Sequence, residues 1–431
     1  MALTGSATPS ANRDAAVPAG GALLALVVAV FFLFGGITNL SDVLIPKLKG
    51  LFQLSYTEAM LVQFAFFTSY AVFSIPAGQL MARLGYARGV VAGFAVMALA
   101  CLLFIPAARS GSFPPFLLAL FMLGGGITLL QVGVNPLIVA LGPPATAHSR
   151  LTFAQFFNSL GVFLMVRIGA EAILGDAVRE PATTDPAALA AFRVAETRVI
   201  GDVYLGIAAV LVAMAVVFWL SRDRLVGGRI EAVRFRDSFA LLRRPRLAWG
   251  VAAIFAYVGA EVAIASIMIN YLGDARVLGL AERPAGVLLS YYWLGALIGR
   301  MLGGFLLRAL RPGLLLALFA AAAIALIAVS ALSAGAVAAW SLIAVGLFNS
   351  IMFPTIFSLA IEGCEREAAQ ASGLLCTAIV GGAVVPVLTG LVADGAGLAA
   401  ALAVPASCYL LIAAYGLMTR GRTKVDAVEA V

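Results

Sequence analysis

The chain has 431 residues, of which 63% are hydrophobic and 11% charged, with a net charge of +7. Soluble domains carry about 25% charged residues and disordered chains are poor in apolar ones, so both classes are excluded. A transmembrane barrel, with alternating strands and a polar lumen, is also disfavoured, which leaves a polytopic helical membrane protein.

In chain order, residues 1–20 are small, polar and rich in Ala and Pro, which predicts a disordered cytoplasmic tail. The apolar run that follows is too long for a signal-peptide core. A span needs roughly 20 apolar residues. On that basis twelve helices are predicted, at 21–45, 57–81, 87–108, 115–141, 151–174, 199–221, 247–272, 285–309, 313–332, 338–361, 369–393 and 398–419. His148 falls in a short loop between spans four and five. The segment 175–198 reads as a long outer loop, mobile or carrying a short helix. A basic cytoplasmic linker, 222–246, holds Arg222, Arg224, Arg229, Arg234, Arg236, Arg243, Arg244 and Arg246. It separates an N-terminal six-helix half (21–221) from a C-terminal one (247–419), and 420–431 is a second cytoplasmic tail.

Most of the 28 Lys and Arg fall in the tails, the linker and the loops on the same side. Basic loops stay cytoplasmic, so both termini are expected inside, in a cell inner (plasma) membrane. The same rule accounts for the basic charge without a nucleic-acid surface. Cys101, Cys364, Cys376 and Cys408 have no CxxC spacing, so neither a metal site nor a disulfide framework is indicated. One histidine and no nucleotide motif argue against a membrane-embedded enzyme and against direct ATP drive. No cofactor is implied.

The two halves echo each other. Gly78-Gln-Leu-Met-Ala-Arg83-Leu-Gly85-Tyr-Ala-Arg88 begins at the end of span two, and Gly303-Gly-Phe-Leu-Leu-Arg308 holds the equivalent place at the end of span eight. Asn135-Pro136 in span four is matched by Phe353-Pro354 in span ten. Parallel repeats of six helices are the plan of major facilitator transporters. The stretch after span two also resembles that superfamily's signature, with Ala82 where an aspartate is usual. Its glycines permit close helix approach. Arg83 and Arg88 either hold a closed interface or anchor the inner face.

Ionisable residues inside a membrane are functional candidates by default. Asp42 lies about 20 residues into span one, either inside the bundle or at the outer interface. Glu261 sits some 14 residues into span seven, near mid-membrane at roughly 1.5 Å per residue. It binds solute or cation, or neutralises a buried charge. Arg167 and Glu171 are four apart on span five and can pair, with a gate as the sharper alternative. Arg300, at the inner end of span eight, reads as a gating or interface residue. Asn270 faces away near the outer end of span seven.

Five stretches together resemble a narrower branch, the fucose–galactose–glucose family of sugar transporters. They are Gly35-Gly-Ile-Thr-Asn39-Leu-Ser-Asp42-Val-Leu-Ile-Pro46, Gly126-Ile-Thr-Leu-Leu-Gln131-Val-Gly-Val-Asn135-Pro136, Phe153-Ala-Gln155-Phe-Phe-Asn158-Ser159-Leu-Gly161, Tyr257-Val-Gly-Ala-Glu261 and Phe353-Pro-Thr-Ile-Phe-Ser358. The resemblance covers nearly the whole chain. It implies an all-α major facilitator fold with twelve transmembrane helices, acting as a monomer in the lipid bilayer. It also implies hexose import by proton symport, with Asp42 and Glu261 in proton coupling. Asn39, Gln131, Gln155 and Asn158 would hold hydroxyls; Glu261, Trp293 and Asn349 are further substrate-binding candidates. Where this chain has Gln131, the L-fucose symporters of the family have a glutamate. A glutamine hydrogen-bonds but does not titrate, which favours a glucose/galactose-type substrate. Sodium coupling, uncoupled flux and a multidrug exporter are the rival readings. The last lacks support in span five, which carries no proline.

Overall fold

The computed structural model describes residues 21–140, 147–174, 185–222, 239–362, 364 and 368–420. The tail expected at 1–20, residues 421–431 of the tail expected at 420–431, 223–238 of the linker and 175–184 of the expected outer loop lie outside the described residues. Among those residues the chain is helical, with no strand. The spans run Gly21–Asn39 continuing as Ser41–Phe52, Tyr56–Ala59 continuing as Leu61–Leu84, Tyr86–Ser110, Pro114–Ala140, Ala147–Ile173 and Pro186–Ser221 in the first half. In the second they run Pro245–Gly273, Glu282–Ala309, Pro312–Leu332, Gly335–Asn349 with Met352–Ile361, Ala368–Thr377 with Gly381–Ala396, and Leu398–Ala401 with Ala403–Met418. Among the described residues, eleven helical segments are long and apolar enough to cross a membrane. Leu61–Leu84, 24 residues long, packs among them as the body of span two.

The breaks have local causes. Span one is interrupted at Leu40. Beyond the break, Pro46 has no N–H to give the carbonyl of Asp42, so that carbonyl is released from the regular ladder inside the continuing helix. Upstream, Thr38 Oγ1 donates to the Phe34 carbonyl, Asn39 Nδ2 to that of Gly35 and Ser41 Oγ to that of Thr38. Such back-bonding competes with the regular ladder. Span ten breaks at Ser350–Ile351, just before Pro354, by the same mechanism.

Three expectations are corrected. Span one does not end at 45 but continues to Phe52, because its two lysines are accommodated. Lys47 is only 2% exposed, and its Nζ meets Glu196 Oε2 of span six at 2.6 Å. Asp42 therefore lies inside the bundle and is itself 2% exposed, so the reading that it reaches water at the outer interface falls. The loop read at 175–198 is helical from Pro186, which starts a 36-residue helix. Proline suits a first helical turn, the following residues are alanine-rich, and Thr197 Oγ1 ties the helix to the Ala108 carbonyl at 2.8 Å. His148 belongs to the first turn of the span-five helix rather than to a loop.

Within each half the helices pack tightly. A Cβ on Gly126 of span four would come within 2.7 Å of the Met97 backbone nitrogen in span three, so that crossing needs a glycine. Between the halves, span five meets span eight, span two meets span eleven and span one meets span seven. These contacts are not uniform along the bundle. At the end bearing the 53–55 and 274–281 connections, Gly390 of span eleven sits so close to Tyr56 and Thr57 that a Cβ would fall 2.8–2.9 Å from their backbones. Gly286 of span eight likewise abuts Ala170 and Leu174 of span five. Midway, Gly382 meets the ring of Phe67. Towards the other end, Gly78 of span two and Gly373 of span eleven have no atom within 4 Å of where a Cβ would sit. Among the described residues, the two halves are therefore in close contact at the first, sealed face and show no such contact around these two glycines at the face that carries the linker, here called the parted face.

Candidate functional site

A cavity of about 150 Å³ lies midway between the halves. The first half contributes Thr38 and Asn39 from span one, Phe67 from span two, and Asn158, Ser159 and Val162 from span five. The second contributes Val258, Glu261 and Val262 from span seven, and Trp293, Ala296 and Arg300 from span eight. The break in span one explains why Asn39 is free of a regular helical course on its far side.

The polar groups are held in place. Asn158 Nδ2 donates to the Phe31 carbonyl at 3.1 Å, fixing span five to span one. Asn39 Nδ2 donates to the Gly35 carbonyl at 3.1 Å. Both amides keep their oxygens for other partners. Glu261 accepts from the Tyr257 hydroxyl at 2.6 Å, one turn earlier. Arg300 donates through Nη1 to Ser159 Oγ, a link between the halves. Glu261 and Arg300 thus place one carboxyl and one guanidinium group in the same wall. Trp293, 6% exposed, and Phe67, 7% exposed, provide flat apolar surface. A few placed polar groups among apolar walls is the usual make-up of a small-molecule site.

Of the residues expected to bind substrate, Asn39, Asn158, Glu261 and Trp293 line this cavity, and Gln131, Gln155 and Asn349 do not. Gln131 Nε2 donates to the Tyr70 hydroxyl at 3.1 Å, a contact between spans four and two. Gln155 lies nearly one turn before Asn158, towards the parted face. Asn349 is fully buried. Its Nδ2 donates to the Tyr292 hydroxyl and its Oδ1 accepts from the Tyr409 hydroxyl, both at 2.7 Å. It braces spans eight, ten and twelve against one another because both ends of its amide are engaged inside the half.

Asp42 is outside the cavity, towards the sealed face. Its Oδ1 accepts from Gln63 Nε2 at 2.9 Å, and its Oδ2 has no partner. Trp293 forms a wall shared with the cavity. Its indole nitrogen faces Asp42 and is also without a partner at hydrogen-bonding geometry. Arg300, read as a gating or interface residue, lines the cavity and bonds across the halves to Ser159. Arg167 Nε and Glu171 Oε1 pair at 3.0 Å, both partly exposed. Arg83 and Arg88 are exposed at the parted face, and Gly78 looks into the gap. Sequence reasoning passed over Thr38, Ser159 and Gln63. Gln63 carried the same signal as Gln131, an amide within an apolar run.

The sequence profile of the Major Facilitator Superfamily matches residues 26–385. The glucose/galactose transporter of Brucella abortus biovar 1 (strain 9-941) is 43% identical over 398 residues, covering 92% of this chain and 94% of that protein. The L-fucose-proton symporter of Escherichia coli (strain K12) is 32% identical over 398 residues, covering 90% and 91%. A crystal structure of the major facilitator transporter FucP in the outward conformation superposes with a TM-score of 0.69 at 31% identity, covering 93% of this chain and 99% of that one. This chain therefore belongs to the Major Facilitator Superfamily, in the branch that includes these glucose/galactose transporters and L-fucose-proton symporters.

Proposed function

We propose that this chain is a secondary transporter that imports a glucose/galactose-type hexose by proton symport and alternating access. The observation that carries the reading is the mid-bundle cavity between the halves, with Asn39, Asn158, Glu261, Arg300 and Trp293 in its wall. Amide and carboxylate groups suit paired hydroxyls, and the indole and phenyl faces suit the apolar face of a pyranose ring. The charges of Glu261 and Arg300 offset each other, which favours a neutral polyhydroxyl solute over a cationic drug. Relatives named as sugar transporters support the same class.

The positive-inside rule assigns the parted face, with Arg83, Arg88, Arg243, Arg244 and Arg311, to the cytoplasm. Both termini are then inside, the membrane is the inner (plasma) membrane, and the conformation faces inward. The sugar is held where the halves meet, so it can leave only towards the face at which they part. Asp42 carries the coupling proton, next to the cavity but behind Trp293. Glu261 lines the cavity beside Trp293, whose other side faces Asp42, so the sugar site and the proton site share a wall. The monomer suffices, because both halves of the cavity come from one chain.

The test is uptake of labelled D-glucose into proteoliposomes, in sodium-free buffer, with and without an inward proton gradient. The expected result is gradient-dependent accumulation, lost in Asp42→Asn while gradient-free exchange persists. Saturable equilibration indifferent to the gradient would retain the sugar and remove the proton. Absence of saturable hexose flux from a folded preparation would refute the sugar assignment.

A further inference from the structure

This inference rests on the proton-symport reading and concerns Gln63, near the start of the Leu61–Leu84 helix. Gln63 is 1% exposed, among Val62, Phe66 and Met60, which are fully buried. Its amide nitrogen donates to Asp42 Oδ1 at 2.9 Å and to Ser266 Oγ at 2.9 Å. Its oxygen accepts from Ser41 Oγ at 3.4 Å. Asp42 and Gln63 belong to the first half and Ser266, itself fully buried, to the second. One planar amide therefore joins the proton site to the opposite half, with one N–H directed to each. An amide has two donors in fixed directions and cannot titrate, so it transmits geometry without supplying a competing proton.

We propose that Gln63 is a positioning residue that couples the carboxyl of Asp42 to closure of the outer face through Ser266. While the outer face is sealed, Ser266 fixes the amide and the amide fixes Asp42 Oδ1. When the halves part there, the Ser266 contact breaks and water takes its place, freeing the amide and opening a path for protons to Asp42. The groups facing Asp42 are Gln63 from span two, Ser266 and the titratable Glu261 from span seven, and Trp293 from span eight. Of the charges on the packed elements, Lys47 of the same helix is paired with Glu196, and Arg167 of span five, at an exposed position, with Glu171. Gln63 and Ser266 do not line the cavity, so sugar affinity and coupling are separable.

The experiment compares Gln63→Leu, Ser266→Ala and the double variant in proteoliposomes. Two readouts are taken between pH 5.5 and 8: glucose counterflow, which needs no net proton movement, and accumulation driven by an inward proton gradient. Ser266→Ala deletes one hydroxyl and serves if Gln63→Leu fails to fold. The expected result is counterflow KM within about twofold of the parent. Accumulation falls about tenfold, the equivalent of one lost hydrogen bond to a charged group, and the midpoint of its pH profile is displaced. The double variant is no worse than Gln63→Leu, because the residues act in series. Accumulation and counterflow falling in parallel, or an unchanged pH profile in both single variants, overturns the proposal. If the parent itself accumulates no glucose, the proton-symport reading fails, and this inference with it; if the parent accumulates and both variants do too, Gln63 alone is refuted.

Discussion

Asn158 combines two duties that its amide can separate. Its nitrogen is engaged by the Phe31 carbonyl, and its oxygen remains for the cavity. Loss of one solute hydrogen bond and some local order is worth about 0.5–1.5 kcal/mol. Asn158→Ala is therefore expected to raise the transport KM for glucose about two- to tenfold with little change in the proton dependence. Initial-rate uptake at several glucose concentrations measures this. An unchanged KM would remove Asn158 from the binding site. Asn349 offers the contrast. Though equally amidic and similarly placed on its span, it is engaged at both ends by Tyr292 and Tyr409, so it presents nothing to a solute.

Among the elements, the short helix Tyr56–Ala59 is the part of the outer seal with the clearest chemistry. Ser55 and Glu58 form a capping box: Ser55 Oγ accepts from the Glu58 N–H, and Glu58 Oε2 accepts from the Ser55 N–H. That leaves the N–H groups of Tyr56 and Thr57 without intrahelical partners. Asp394, from span eleven of the other half, takes both, at 2.6 and 2.8 Å, and also the Thr57 hydroxyl at 2.6 Å. The cap of one half is thus supplied by the other, and it exists only while the outer face is closed. Asp394→Ala should shift the protein towards the outward-open state. In a background whose four cysteines are replaced, an impermeant maleimide added outside should label Ala296→Cys several-fold faster when Asp394 is absent. Equal rates would show that the glycine contacts at Gly390 and Gly286 hold the seal without it.

For the molecule as a whole, the wedge between spans two and eleven defines the motion that transport requires. The two spans touch at Gly390 and meet again at Gly382, whereas Gly78 and Gly373 have open space within 4 Å of where a Cβ would sit. Closing the inner face must bring the last two glycines towards the opposite half, where a large side chain would obstruct it. Gly78→Leu and Gly373→Leu are expected to fold normally, since open space receives the new side chain in this conformation. They should lower transport at least about tenfold, the effect of roughly 1.4 kcal/mol against the closed inner face. Glucose binding from the cytoplasmic side should persist, measured by thermal-shift titration in detergent. Normal uptake in both variants would mean that the inner face closes along other spans. FucP was crystallised in the outward conformation; in the orientation proposed for this chain, the two structures would sample opposite ends of the cycle.

The twelve spans and the two-half plan could be read from the order of residues, because burying a helix in lipid demands long apolar runs and penalises every charge within them. Helix breaks near Asp42 and Pro354 were likewise written locally, in prolines and in side chains that bond back to the backbone. The rotation of each helix was not. Lipid-facing and bundle-facing positions are both apolar, so hydropathy does not say which face meets the other half. That is why Gln131 and Asn349 looked as suitable as Asn158, and why Gln63 was overlooked. The length of span one was hidden for a related reason. Lys47 ends an apolar run in the sequence, yet Glu196, 149 residues later, makes its burial tolerable. The packing of glycines against distant backbones settles these rotations and partnerships, and with them which polar groups share a cavity.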